Sequence, residues 1–74
     1  MIIRSQNKEV LIAAAAIRII ASKKSAEIYA GSVDGLGGQS FVIGDYPTKE
    51  IAIKELDDIM QFFVENPSGI YQMK

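Results

Sequence analysis

The chain has no cysteine, no histidine and no tryptophan. Without cysteine there is no disulfide to staple a small fold, and without cysteine or histidine the two commonest transition-metal ligands are missing. Carboxylate-only calcium or magnesium binding is the metal chemistry left, and no cofactor is expected. The lack of histidine also removes the usual base for a serine nucleophile. Ser5, Ser22, Ser25, Ser32, Ser40 and Ser68 would have to rely on Lys23 or Lys24. Those lysines sit at a solvated loop tip and keep their protons, so no catalytic residue is assigned and the chain is read as a non-enzyme.

Charge of one sign is also in short supply. Nine acidic and eight basic residues leave a net charge of −1. There is no basic stripe to replace the counterions of a nucleic acid and no polybasic patch for an anionic membrane. Tyr29, Tyr46 and Tyr71 lack the cationic surround that would make them stacking platforms for bases. The most apolar stretch, Val10 to Ile20, is broken by Arg18 and falls short of the ~20 residues that span a bilayer. Glu9 adjoins it, and it reads as a core segment rather than a targeting segment, with a cytoplasmic location expected.

What the chain does have is apolar residues, 49% of 74 positions. Residues 1–74 read as a single small α+β domain. A chain of this length buries only about 60% of the surface it exposes when unfolded, so it needs help, and oligomerisation is the aid that remains.

Met1 to Gln6 reads as a strand and Asn7-Lys8 as a turn. Val10 to Ile20 is ambiguous. Ala13 to Ala16 favour a helix by propensity, but that helix would be apolar almost all round, and so small a domain has no interior to hold it. The strand reading makes Val10 to Ile12 one strand, the alanines a tight crossing, and Ile17 to Ser22 the next strand. Lys23 to Ser25 is a hairpin loop, Ala26 to Val33 a strand, Asp34-Gly35 a turn extended by Leu36 to Gly38, and Gln39 to Ile43 a strand. Pro47 ends the sheet and Thr48 caps a helix. Ala52, Leu56, Ile59, Met60 and Phe63 form its apolar stripe, widened by Ile53 and Val64. Asn66 to Gly69 stops the helix, and Ile70 to Met73 adds an edge strand. The fold expected is α+β: an antiparallel meander of four to five strands with one C-terminal helix packed on it.

Ile3-Arg4-Ser5-Gln6-Asn7-Lys8 resembles the opening "IRSQ-D/N-K" of small uncharacterised proteins from low-GC Gram-positive bacteria and their phages. Ile43 to Glu50, with Ala52 and Leu56-Asp57-Asp58-Ile59, is similar to their "LG-x-Y-x-T-x-E…A…LD-x-I" segment, and Ile70 to Met73 to their aromatic-x-Met close. The four alanines depart from that pattern, which has a more polar turn there. The resemblance implies a strand-rich sheet with one packed helix and a phage or prophage setting. It supplies no activity.

Two binding readings follow. Ile51 and Phe62 project to one side of the helix around Glu55 and Asp58, away from the main stripe. That spare edge, Ile51, Glu55 and Phe62, is the candidate interface of a homo-oligomer that binds a host protein, with anti-defence as one such role. The alternative is a small-molecule binder that sequesters a nucleotide signal between subunits. Arg4 or Arg18 would contact the anion and the loop with Gly35, Gly37 and Gly38 would close over it. That loop does not open a helix, so it lacks the amide geometry of a phosphate cradle. Glu55, Asp57 and Asp58 read as a solvated face, since Asp57 and Asp58 point ~100° apart on a helix.

Overall fold

The computed structural model of the chain describes residues 1–32 and 40–74. The elements are β1 (Ile2–Arg4), β2 (Leu11–Ala21), β3 (Ala26–Ser32), β4 (Ser40–Tyr46), α1 (Lys49–Glu65) and β5 (Ile70–Gln72). They form one five-stranded sheet in the order β4-β3-β2-β1-β5. β1 to β4 pair antiparallel with their chain neighbours, as expected of a meander. β5 differs: it lies beside β1 and runs parallel to it, so the sheet is mixed. A parallel partner needs a long crossover, and α1 supplies it by carrying the chain from one edge to the other.

The alanine run is neither a crossing nor a helix. β2 is one continuous strand of 11 residues. Leu11 to Ala13 pair with β1, and Ala14 to Ala21 pair with β3. The register slips between Ala14 and Ala16, which makes Ala15 the extra residue of a bulge. A bulge bends and twists a strand, and small side chains let the bend tighten without collision.

The bend has a consequence at the sheet's edges. Gln6, just beyond β1, donates its backbone N–H to Ile43 O on β4 at 2.7 Å. Its side-chain Oε1 accepts from Asp45 N at 2.9 Å, and its Nε2 donates to Lys74 O at 3.1 Å. β1 and β4 are separated by two strands in the ladder, so the sheet curls until Gln6 bridges them. Gln6 thereby occupies part of the edge of β4 that would otherwise offer unpaired backbone groups.

The rest of the Arg4–Lys8 segment is absorbed by the same corner. Ser5 Oγ donates to Asn7 Oδ1 at 2.6 Å and accepts from Val10 N at 3.0 Å. Asn7 Oδ1 also accepts from Glu9 N, and Arg4 Nε donates to Lys8 O. The turn was expected to exploit the left-handed tolerance of Asn7, but the positive φ, 68°, falls on Lys8.

Ile3, Ile12, Ala14, Ala26, Ile28, Ala30, Ile43 and Tyr46 form the concave face of the sheet, and Ala52 and Ile59 of α1 pack on it. Each fully buried isoleucine contributes about 1.5–3 kcal/mol relative to exposure. Thr48 caps α1 as expected, its Oγ1 accepting from Ile51 N at 3.2 Å. Asn66 closes the other end by donating N–H to Phe62 O at 2.7 Å.

The helix is turned relative to the expected stripe. Its inward residues are Ala52, Glu55 and Ile59, with Leu56, Phe62 and Phe63 partly buried beside them. Met60, expected within the buried stripe, and Ile53 and Val64, expected to widen it, are exposed. The inward direction is shifted by roughly 60° toward Glu55 and Phe62, at ~100° per residue. β5 causes the shift. Tyr71 meets the Phe62 ring edge-on at 5.3 Å and donates Oη–H to Glu55.

Candidate functional site

The turn of α1 decides which side chains are left for function. Glu55 is buried, only 5% exposed, and is no part of a solvated face. Its Oε2 accepts from Tyr71 Oη at 3.0 Å and from Lys74 N at 2.9 Å, two donors that compensate the burial of a carboxylate. Asp58 beside it bridges Lys74 Nζ at 3.1 Å. Phe62 is tucked against Phe63 and Tyr71. Ile51 stays exposed, at a polar cleft it shares with Lys54, Asp58 and Lys74. Ile51, Glu55 and Phe62 therefore do not present one apolar edge: one is exposed, one is a buried acceptor and one packs on the core.

Tyr46 completes this polar interior. Its ring lies across Gly44, where a Cβ would come within 2.7 Å of it, so position 44 has room for glycine alone. Tyr46 Oη is buried with no hydrogen-bond partner among the described residues. Burial, and then the nearby Glu55 charge, push its pKa up to about 12. Tyr71 is pushed up further by burial, by its hydrogen bond to Glu55 and by the Glu55 and Asp58 charges. Both phenols therefore stay neutral at physiological pH.

The exposed apolar residues of α1 border a groove instead. Ala15, Ala16 and Ile17 of β2 make its floor, and Met60, Phe63 and Val64 of α1 make its wall. It encloses ≈ 580 Å³, Met1 stands at its rim, and no charged side chain lines it. The bulged alanines set the floor low, while Met60 and Val64 stand out from the wall at 63% and 72% exposure. The groove was missed in the sequence because Met60 and Val64 share the helical spacing of the core stripe. The signal that could have found it is breadth: apolar residues wrap more than half of α1, more than one sheet face can cover.

The expected ligand contacts do not converge. Arg4, on β1, pairs opposite Leu11, and Arg18 lies seven residues further along β2, on the order of 20 Å away at ~3.3 Å per residue. Arg4 is held by its bond to Lys8 O. Arg18 is exposed on the helix-free face opposite Tyr29 and makes no hydrogen bond or ion pair among the described residues. Gly35, Gly37 and Gly38, and the turn at Asp34-Gly35, lie outside the described residues.

Among the described residues no group of three acidic side chains is placed to hold a metal ion, and no helix is long and apolar enough to cross a membrane. Comparison with known proteins returns no matching family model, no matching curated protein and no matching solved structure.

Proposed function

We propose that this chain is a non-enzymatic interaction protein that works as a homo-oligomer, and that its copies join through the groove between β2 and α1. The observation that carries this reading is self-complementarity. Each copy has a low floor of alanines beside a raised row of Met60 and Val64. A two-fold axis along the groove would set the row of one copy on the floor of the other, the arrangement an isologous interface requires. Methionine adapts its shape to such a fit. No charged side chain among the described residues lines the groove, the amino group of Met1 at its rim being the one charge there, and a net charge of −1 gives two copies little mutual repulsion. The phage or prophage setting rests on the sequence resemblance, and the host-protein partner on the spare apolar surface of a chain without catalytic chemistry.

Light scattering coupled to size exclusion tests the reading. The parent chain is expected to run as a dimer or larger species, and Met60→Glu as a monomer with an unchanged circular dichroism spectrum. Met60 points outward, so the substitution leaves the core alone. A parent that stays monomeric up to millimolar concentration would overturn the proposal.

A further inference from the structure

We propose that the helix-free face of the sheet carries a second site, a seat for a flat ring bearing an anionic group, built on the bare backbone of Gly31 and Ala16. This goes beyond assembly and uses the opposite face of the sheet, with Ala16, next to the bulge, bordering both recesses. The cross-strand register puts Ser40, Gly31 and Ala16 in one row across β4, β3 and β2. The next row holds Val42, Tyr29 and Arg18. Their neighbours Ala30, Ile28, Ile17 and Ile19 turn toward the core, so both rows face away from α1. Ala16, Arg18, Tyr29, Gly31 and Ser40 line a recess of ≈ 340 Å³, which is within the range of small-ligand sites.

Gly31 is the observation that needs explaining. A glycine inside a strand loses chain entropy and gives up a side chain that could pack. Gly44 is forced by the Tyr46 ring, but nothing comparable among the described residues crowds Gly31. Among the described residues a Cβ there would meet only Ala16 O, at 4.0 Å, and its φ lies outside the left-handed region. Neither backbone geometry nor packing among the described residues demands glycine. A bare strand glycine also marks a place where a ligand comes close to the backbone.

The side chains around this floor set the ligand's chemistry. Arg18 offers a guanidinium with no partner among the described residues, suited to a phosphate or carboxylate. Tyr29 stands beside it as an aromatic wall, and Ser40 offers a hydroxyl from the other side. Glu27 lies 3.5 Å from Tyr29 Oη on the side away from Gly31. Its charge directs an anion toward Arg18. A flat ring would lie on the Gly31–Ala16 peptides with its edge to Tyr29 and its anionic group on Arg18.

The test is an amide chemical-shift titration with adenosine monophosphate and with benzoate, and with adenosine and inorganic phosphate as half-ligands. Saturable shifts at the amides of Ala16, Gly31 and Ser40 are expected with both complete probes, with each half-ligand binding at least about tenfold more weakly. Arg18→Gln should lower affinity about tenfold, the loss of a charge-assisted contact. Gly31→Val fills the floor, and because the Cβ has room the variant should melt at or above the parent temperature while losing both probes. The proposal is overturned by the absence of saturable shifts with either complete probe. It is equally overturned if inorganic phosphate alone binds as well as adenosine monophosphate, or if Gly31→Val binds like the parent.

Discussion

Two tyrosines in one small interior separate the effect of burial from the effect of pairing. Tyr46 and Tyr71 are 6% and 5% exposed, and both lie near Glu55. Tyr71 donates to the carboxylate at 3.0 Å, whereas Tyr46 Oη has no partner among the described residues. A buried hydroxyl without an acceptor costs free energy, and one bonded to a charged group contributes it. Removing each hydroxyl should therefore move stability in opposite directions. Tyr71→Phe is expected to lose about 1.5–3 kcal/mol, and Tyr46→Phe to be neutral or to gain up to about 1 kcal/mol. Urea denaturation of the two variants beside the parent measures both. Equal losses would mean that Tyr46 Oη is satisfied in solution.

At the scale of elements, the fold depends on a few long-range bonds from short segments. Gln6 joins the end of β1 to β4 and to Lys74 through its backbone N–H and both side-chain heteroatoms. Gln6→Ala keeps the backbone bond and removes the other two, at a cost of about 1 kcal/mol for so exposed a side chain. Hydrogen exchange localises the effect: the Asp45 amide should exchange faster while amides in the middle of β2 keep their protection. Unchanged protection at Asp45 would show that the curl of the sheet does not depend on this side chain. The same contrast between local and distant causes explains what could be read from the sequence. The α+β class and the bounds of α1 were legible because Pro47, Thr48 and Asn66 to Gly69 act within one turn of the chain. The course of β2 was not, because Ala13 to Ala16 carry no periodicity and their strand is decided by partners on both sides. The facing of α1 was not, because it is set by Tyr71 and Lys74, 16 and 19 residues beyond Glu55. The candidate interface moved with it, from the Ile51–Phe62 side to Met60 and Val64. Arg18 was legible as an anion contact, and Gly31 acquired meaning only when the register set it beside Ala16 and Ser40.

For the whole molecule, the buried phenols couple folding to alkaline pH. Tyr46 is raised from an ordinary value of 10.0 to about 12, and Tyr71 is raised as well. Below pH 10 both are protonated whether the chain is folded or not, and the full stability is present. Above it the unfolded chain gives up these protons while the folded chain keeps them. The unfolded state then binds fewer protons, so stability falls as pH rises, and the loss runs until the folded chain itself ionises near 12. The chain is only 74 residues long and has no disulfide, so its margin is small and the loss along the alkaline limb should exhaust it early. Denaturation midpoints from neutral pH to about 12 trace that limb. In a Tyr29→Phe background the ultraviolet absorbance of tyrosinate reports Tyr46 and Tyr71 alone, and it should rise together with loss of the folded circular dichroism signal. Tyrosinate that forms near pH 10 in a chain that remains folded would show that the Glu55 interior is open to solvent. The closure of β5 onto α1, through Glu55, Tyr71 and Lys74, would then have to be abandoned.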